Sequence, residues 1–110
     1  MENKTKESKF CPLIESAKMI GDTATLLIIN CLENGSKRYS EIQNYVNMVS
    51  EATLATRLKK LQALGLVERK QYECIPPKVE YSLTAKAKPI TEVIDRLRSF
   101  GEKYFKDAKI

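Results

Sequence analysis

Apolar residues along the chain fall at helical spacing in five stretches and alternate with polar ones in a sixth. Pro12 suits the first turn of a helix, Leu13, Ile14, Ala17, Met19 and Ile20 follow it, and Gly21 ends the run. Asp22 or Thr23 is placed to cap the next segment. There Ala24 to Leu32 is apolar almost all round, which in so short a stretch predicts a central helix buried by its neighbours and ended at Asn34-Gly35. Ser40 and Gln43 have capping-box spacing, and Ile42, Tyr45 and Val46 supply an apolar face, predicting a short helix over residues 41–46. Asn47 to Val49 make a turn. Ser50 can then accept from the backbone N–H of Thr53 and cap a helix in which Leu54, Leu58, Leu61 and Leu64 repeat at three- and four-residue steps. That stripe leaves Thr53, Thr56, Arg57 and Lys60 outside it, and Gly65 closes the helix in the left-handed conformation.

Strand formers dominate "LVERKQYE", and "VEYSLT" alternates Val79, Tyr81 and Leu83 with Glu80 and Ser82; the prolines of "ECIPPK" place a loop between them. Thr84 is the expected cap of a last helix, with Pro89 in its first turn or at a kink. This helix carries Ile90, Val93, Ile94, Leu97, Phe100, Tyr104 and Phe105 at three- and four-residue steps. Its apolar surface exceeds what one small domain covers, which calls for a partner subunit.

Helix, helix, turn, helix, glycine and two strands is the order of a winged helix-turn-helix. The expected fold class is mainly α with a small β-hairpin, with extra N- and C-terminal helices that serve dimerisation. Residues 1–10, polar and without apolar period, form an expected flexible arm ahead of a single domain over residues 11–110. The length of 110 residues suits one core. The net charge of +5 fits an anionic partner, nucleic acid or a membrane surface. Within residues 50–70, Glu51 and Glu68 stand against Arg57, Lys59, Lys60, Arg69 and Lys70, so the capped helix and the strand after it are locally basic.

Candidate chemistry is sparse. The chain has no His, which removes the usual general base, and no glycine-rich phosphate loop, so an enzyme is not expected. Cys11, Cys31 and Cys74 are widely spaced without a CxxC pair, and neither a metal nor a cofactor is expected. The longest apolar run is Leu26 to Ile29, and "MENKTKESKF" leads into no apolar segment; a cytoplasmic protein without membrane association is expected.

The segments "CPLIESAKMIG", "TLLIINCLENGSKRYSEIQ", "LATRLKKLQALGLVERK" and "PPKVEYSLT", with the trailing helix, together resemble an HxlR-type winged-helix transcription regulator from Cys11 to Tyr104. The resemblance implies a bacterial or archaeal DNA-binding homodimer paired through its first and last helices. It places the interface at Leu13, Ile14, Ala17, Leu97, Phe100 and Tyr104. Where such proteins usually carry a Lys-Trp pair, this chain has Thr23 and Ala24. Ala52 and Ala55 replace the polar and hydroxyl residues common in the recognition helix, which either throws sequence reading onto Thr56 and Arg57 or reduces it.

Arg57 is the leading candidate for a base or phosphate contact, since its fork can bond guanine N7 and O6; a salt bridge within the protein is the alternative. Ser50 and Thr53 stand at a helix N-terminus suited to a phosphate, where Ser50 can also serve as a cap. Lys37, Arg38, Ser40 and Lys60 are further backbone candidates, and Lys70 and Lys78 flank the Pro76-Pro77 turn where they can straddle minor-groove phosphates. Cys11 precedes a helix start near Lys9, the setting of a reactive thiol, and matches the position at which some HxlR-type proteins sense oxidants; half-buried packing is the alternative. The partners expected are double-stranded DNA and a second copy of the chain, with no small-molecule effector identified. A winged-helix module that binds protein instead of DNA is the competing reading, and a steep loss of duplex binding with salt separates the two.

Overall fold

The computed structural model describes residues 10–106, so the expected arm lies outside the described residues except for Phe10, which is exposed. Five α-helices and one hairpin follow in chain order: α1 (Pro12–Ile20), α2 (Thr23–Leu32), α3 (Tyr39–Tyr45), α4 (Glu51–Ala63), β1 (Val67–Tyr72), β2 (Lys78–Leu83) and α5 (Lys88–Tyr104). This is the expected winged helix-turn-helix order.

The core forms around α2, whose Ile28 and Ile29 are fully buried among Ile42 and Val46 from α3 and its end, Leu54, Leu58 and Leu61 from α4, Leu66 and Val67 at the start of the wing, and Ile94 from α5. Asp22 caps α2, accepting from Thr25 N at 2.9 Å, and the Thr25 hydroxyl, itself buried, donates to the same carboxylate at 2.9 Å. A burial that removes polar groups from water requires such partners. Asn30 on the other side of α2 donates to the Tyr45 hydroxyl and accepts from Arg98 Nη2, tying α2 to α3 and α5.

Two expected caps differ. Helix α3 begins at Tyr39 and not at Glu41, because the Glu41 carboxylate reaches back to accept from the Arg38 backbone N–H at 2.8 Å; Ser40 lies inside the first turn and caps nothing. Thr84 does not cap α5. Its hydroxyl donates to the Gly65 carbonyl at 2.7 Å, a single 3-10 turn follows at Ala85–Ala87, and α5 starts at Lys88 with Pro89 in its first turn.

Gly65 takes φ +76°, the left-handed geometry that lets β1 start after only three residues beyond the end of α4. Gly21 serves close approach instead: a Cβ there would sit 2.3 Å from the Ala17 carbonyl oxygen, which its N–H bonds at 2.8 Å.

The hairpin is antiparallel, running from Val67 opposite Leu83 to Tyr72 opposite Lys78. Lys37, ahead of α3, bridges to Tyr81 on its outer side. Helix α1 buries none of its residues, and α5 buries only Ile94 while Val93, Leu97, Phe100 and Tyr104 stay exposed along it.

Candidate nucleic-acid interface

The start of α4 is built by two hydroxyls. Ser50 Oγ accepts from Thr53 N at 3.1 Å and donates to Thr53 Oγ1 at 3.0 Å, so the predicted cap forms and leaves Ser50 exposed beside the free N–H groups of the first turn. Leu54, Leu58 and Leu61 face the core. Ala52, Thr56, Lys59 and Ala63, at steps of four, three and four, therefore share the opposite face, and all four are exposed. Thr56 is central to that outward stripe. Lys59 belongs to it as well and was absent from the candidates above, although its spacing from Thr56 and its place across the helix from the leucines were signal enough.

Arg57 is not on that stripe. It turns to the flank of α4, where its Nε lies 3.3 and 3.2 Å from the two Asp22 carboxylate oxygens, both side chains being about one third exposed. Asp22 is consequently a stabilised carboxylate. Burial works against its charge, but the bonds from Thr25 N, the Thr25 hydroxyl and Arg57, with the guanidinium charge, outweigh burial and hold its pKa below the ordinary value. Lys60 leans the same way, its Nζ 3.4 Å from the Lys18 carbonyl oxygen at the end of α1. The two cations most prominent in the sequence pattern of α4 thus grip the α1–α2 corner.

The wing presents a second basic element. Lys70, Tyr72, Lys78 and Glu80 share one face of the hairpin by register, and the ammonium groups of Lys70 and Lys78 each stand 4.9 Å from the centre of the Tyr72 ring. Glu80 fixes this group: it accepts from the Tyr72 hydroxyl at 3.2 Å and from Ser36 Oγ at 3.4 Å, and pairs with Lys78 Nζ at 3.5 Å. Both lysines thus stand against one ring at the base of the loop, with Lys78 also paired to Glu80. At its tip Ile75 is 99% exposed. Lys37, half-buried, exposed Arg38 and exposed Ser40 sit at the entry to α3, where Lys37 is fixed through its backbone to Tyr81.

Cys11 occupies the N-cap position of α1, half-exposed and without a side-chain cap bond. Cys31 is buried in α2, and that burial pushes its thiol pKa up, with Lys37 opposing and Glu41 adding to the shift. Cys74 is exposed in the wing loop, its Sγ donating to the Pro76 carbonyl at 3.2 Å. Among the described residues no cluster of His, Cys, Asp or Glu is fit to hold a metal ion, and no helix is long and apolar enough to cross a membrane.

Comparison with known proteins gives the same picture of the scaffold. Residues 19–109 match the model of the HxlR-like helix-turn-helix family. The HTH-type transcriptional regulator BH0655 of Halalkalibacterium halodurans is 36% identical over 103 residues, 93% of this chain and 91% of that protein. The HTH-type transcriptional regulator YodB of Bacillus subtilis is 36% identical over 95 residues, 86% of this chain and 85% of YodB. Among solved structures, the redox regulator HypR in its oxidized form superimposes with a TM-score of 0.80 at 29% identity, covering 84% of this chain and 96% of HypR.

Proposed function

The chain belongs to the HxlR-like helix-turn-helix family of transcriptional regulators, and from that premise we propose that it binds duplex DNA as a homodimer, reading bases with the outward stripe of α4. The observation that carries this reading is the stripe itself, an exposed face of Ala52, Thr56, Lys59 and Ala63 behind a capped helix N-terminus. Small residues at both ends let the helix backbone approach the base edges closely, Thr56 offers a hydroxyl and a methyl to them, and Lys59 offers a cation. Ser50 and Thr53 with the first-turn N–H groups, Lys37, Arg38 and Ser40 at the start of α3, and Lys70 and Lys78 on the wing supply the phosphate contacts that fix register. The exposed apolar faces of α1 and α5, through Leu13, Ile14, Ala17, Leu97, Phe100 and Tyr104, pair the two copies, so the operator is a palindrome with half-sites about 34 Å apart. The protein acts in the cytoplasm as a regulator and not as an enzyme.

The test is duplex selection from a random library followed by titration at two salt concentrations. Thr56→Val and Lys59→Ala are expected to weaken the selected duplex by more than they weaken a random one, and Lys70→Ala to weaken both and lower the salt slope by about one. A wild type with no affinity for duplex at low salt overturns the reading and leaves the protein-binding module.

Cys11 is the proposed redox-responsive residue, supported by its exposure at the start of a helix on the dimer face and by likeness to a redox regulator. A mild oxidant or a quinone is expected to change DNA affinity in the wild type and to leave Cys11→Ser unchanged. Equal responses in the two proteins remove Cys11 from this role.

A further inference from the structure

We propose that the Asp22–Arg57 pair is a positioning device that sets the roll of the recognition helix, and that Arg57 acts on DNA only through Asp22. The proposal rests on the DNA-binding reading of α4 and adds to it how that helix is aimed.

Three buried leucines on one line seat α4 against the core, and a contact off that line adds to the resistance they offer to rotation about the helix axis. An off-axis tether resists that rotation directly. Asp22 is such an anchor, because two bonds from Thr25 fix its carboxylate to the first turn of α2 independently of Arg57. Arg57 meets both carboxylate oxygens through one nitrogen, and Lys60 reaches the Lys18 carbonyl oxygen one turn further along the same flank. Two tethers therefore hold one side of α4 to the α1–α2 corner. The magnitude matters: on a helix of about 5–6 Å radius with its side chains, a roll of about 20° moves a side-chain tip by roughly 2 Å. Hydrogen bonds to bases tolerate a window of about 0.5 Å. A part-exposed ion pair contributes little to stability, so its consequence lies in aim and not in folding.

The experiment compares the wild type, Asp22→Asn, Arg57→Ala and the double variant on a selected duplex and on a random one by fluorescence anisotropy. Asn is as good an N-cap as Asp, so Asp22→Asn retains the Thr25 N bond while it discharges the pair. Each single variant is expected to lose about tenfold in affinity for the selected duplex and less than twofold for the random one, with unchanged circular dichroism, and the double variant to be no worse than either single. Arg57→Gln replaces Arg57→Ala if the latter does not fold. If Asp22→Asn binds the selected duplex as tightly as the wild type or more tightly while Arg57→Ala is weakened, Arg57 touches DNA itself and the proposal is overturned. Losses that multiply in the double variant overturn it too. A wild type that binds neither duplex overturns the DNA reading, and this proposal with it.

Discussion

Lys37 and Tyr81 exchange both backbone hydrogen bonds, the Lys37 N–H donating to the Tyr81 carbonyl at 2.9 Å and the Tyr81 N–H to the Lys37 carbonyl at 2.8 Å. The segment entering α3 is thereby a third, one-residue edge of the wing, and Ser36 beside it bonds Glu80. The entry to α3 and the hairpin are thus joined through the backbone.

Because that link is made by backbone, it separates two substitutions at one position. Lys37→Pro removes the donor and is expected to cost roughly 1–3 kcal/mol in urea unfolding. Lys37→Ala keeps both bonds and is expected to stay within about 0.5 kcal/mol of the wild type. Equal losses would mean that the bridge contributes nothing.

The exposed row of Val93, Leu97, Phe100 and Tyr104, the last two stacked at 5.6 Å between ring centres, is expected to be covered by a second copy. Sedimentation equilibrium at micromolar concentration is expected to give about twice the chain mass of 12.5 kDa. Leu97→Glu, at a half-exposed site, is expected to give a folded monomer by circular dichroism. A monomeric wild type rules out the pairing.

Leu58 is buried in the stripe that seats α4. Leu58→Ala is expected to lower stability by about 2–5 kcal/mol, whereas Lys59→Ala next to it, on the outward face, changes stability by less than about 0.5 kcal/mol while weakening DNA binding. Thermal unfolding of the two variants checks the assignment of faces, and a reversed order would show α4 turned the other way.

Asp22 gives stability a dependence on acid. Its carboxyl is held below the ordinary value in the folded chain, so the carboxylate's contribution is complete above the unfolded value, near pH 4, and is lost as pH falls through the lower folded value. Asp22→Asn is expected to flatten the stability profile below about pH 4 and to leave its shape above pH 5 unchanged. A variant that follows the wild-type curve throughout would show that the Thr25 and Arg57 bonds do not favour the ionised form.

Much of the fold was legible because its signals are local. A carboxylate at position 22 and a hydroxyl at position 50 cap the helices after them, a glycine at 65 turns left-handed, and alternation at Val79, Tyr81 and Leu83 marks a strand; each rule acts within four residues. Even the misplaced start of α3 was a contest between neighbours, which Glu41 won over Ser40 because its carboxylate reaches the Arg38 N–H.

The sequence by itself determined the order of elements, the buried leucine line of α4, the basic wing and the unpartnered apolar rows of α1 and α5, all of which follow from spacing along the chain. Only the tertiary structure decided what the cations on the flank of α4 bond. Arg57 lies 35 positions from Asp22 and Lys60 lies 42 from Lys18, and both are drawn to the α1–α2 corner, while Lys59 keeps the outward place that the helical period gives it. A helical period places a side chain on a flank, but a charge on that flank turns to the nearest fixed carboxylate or carbonyl, and what is nearest is settled by how distant segments pack.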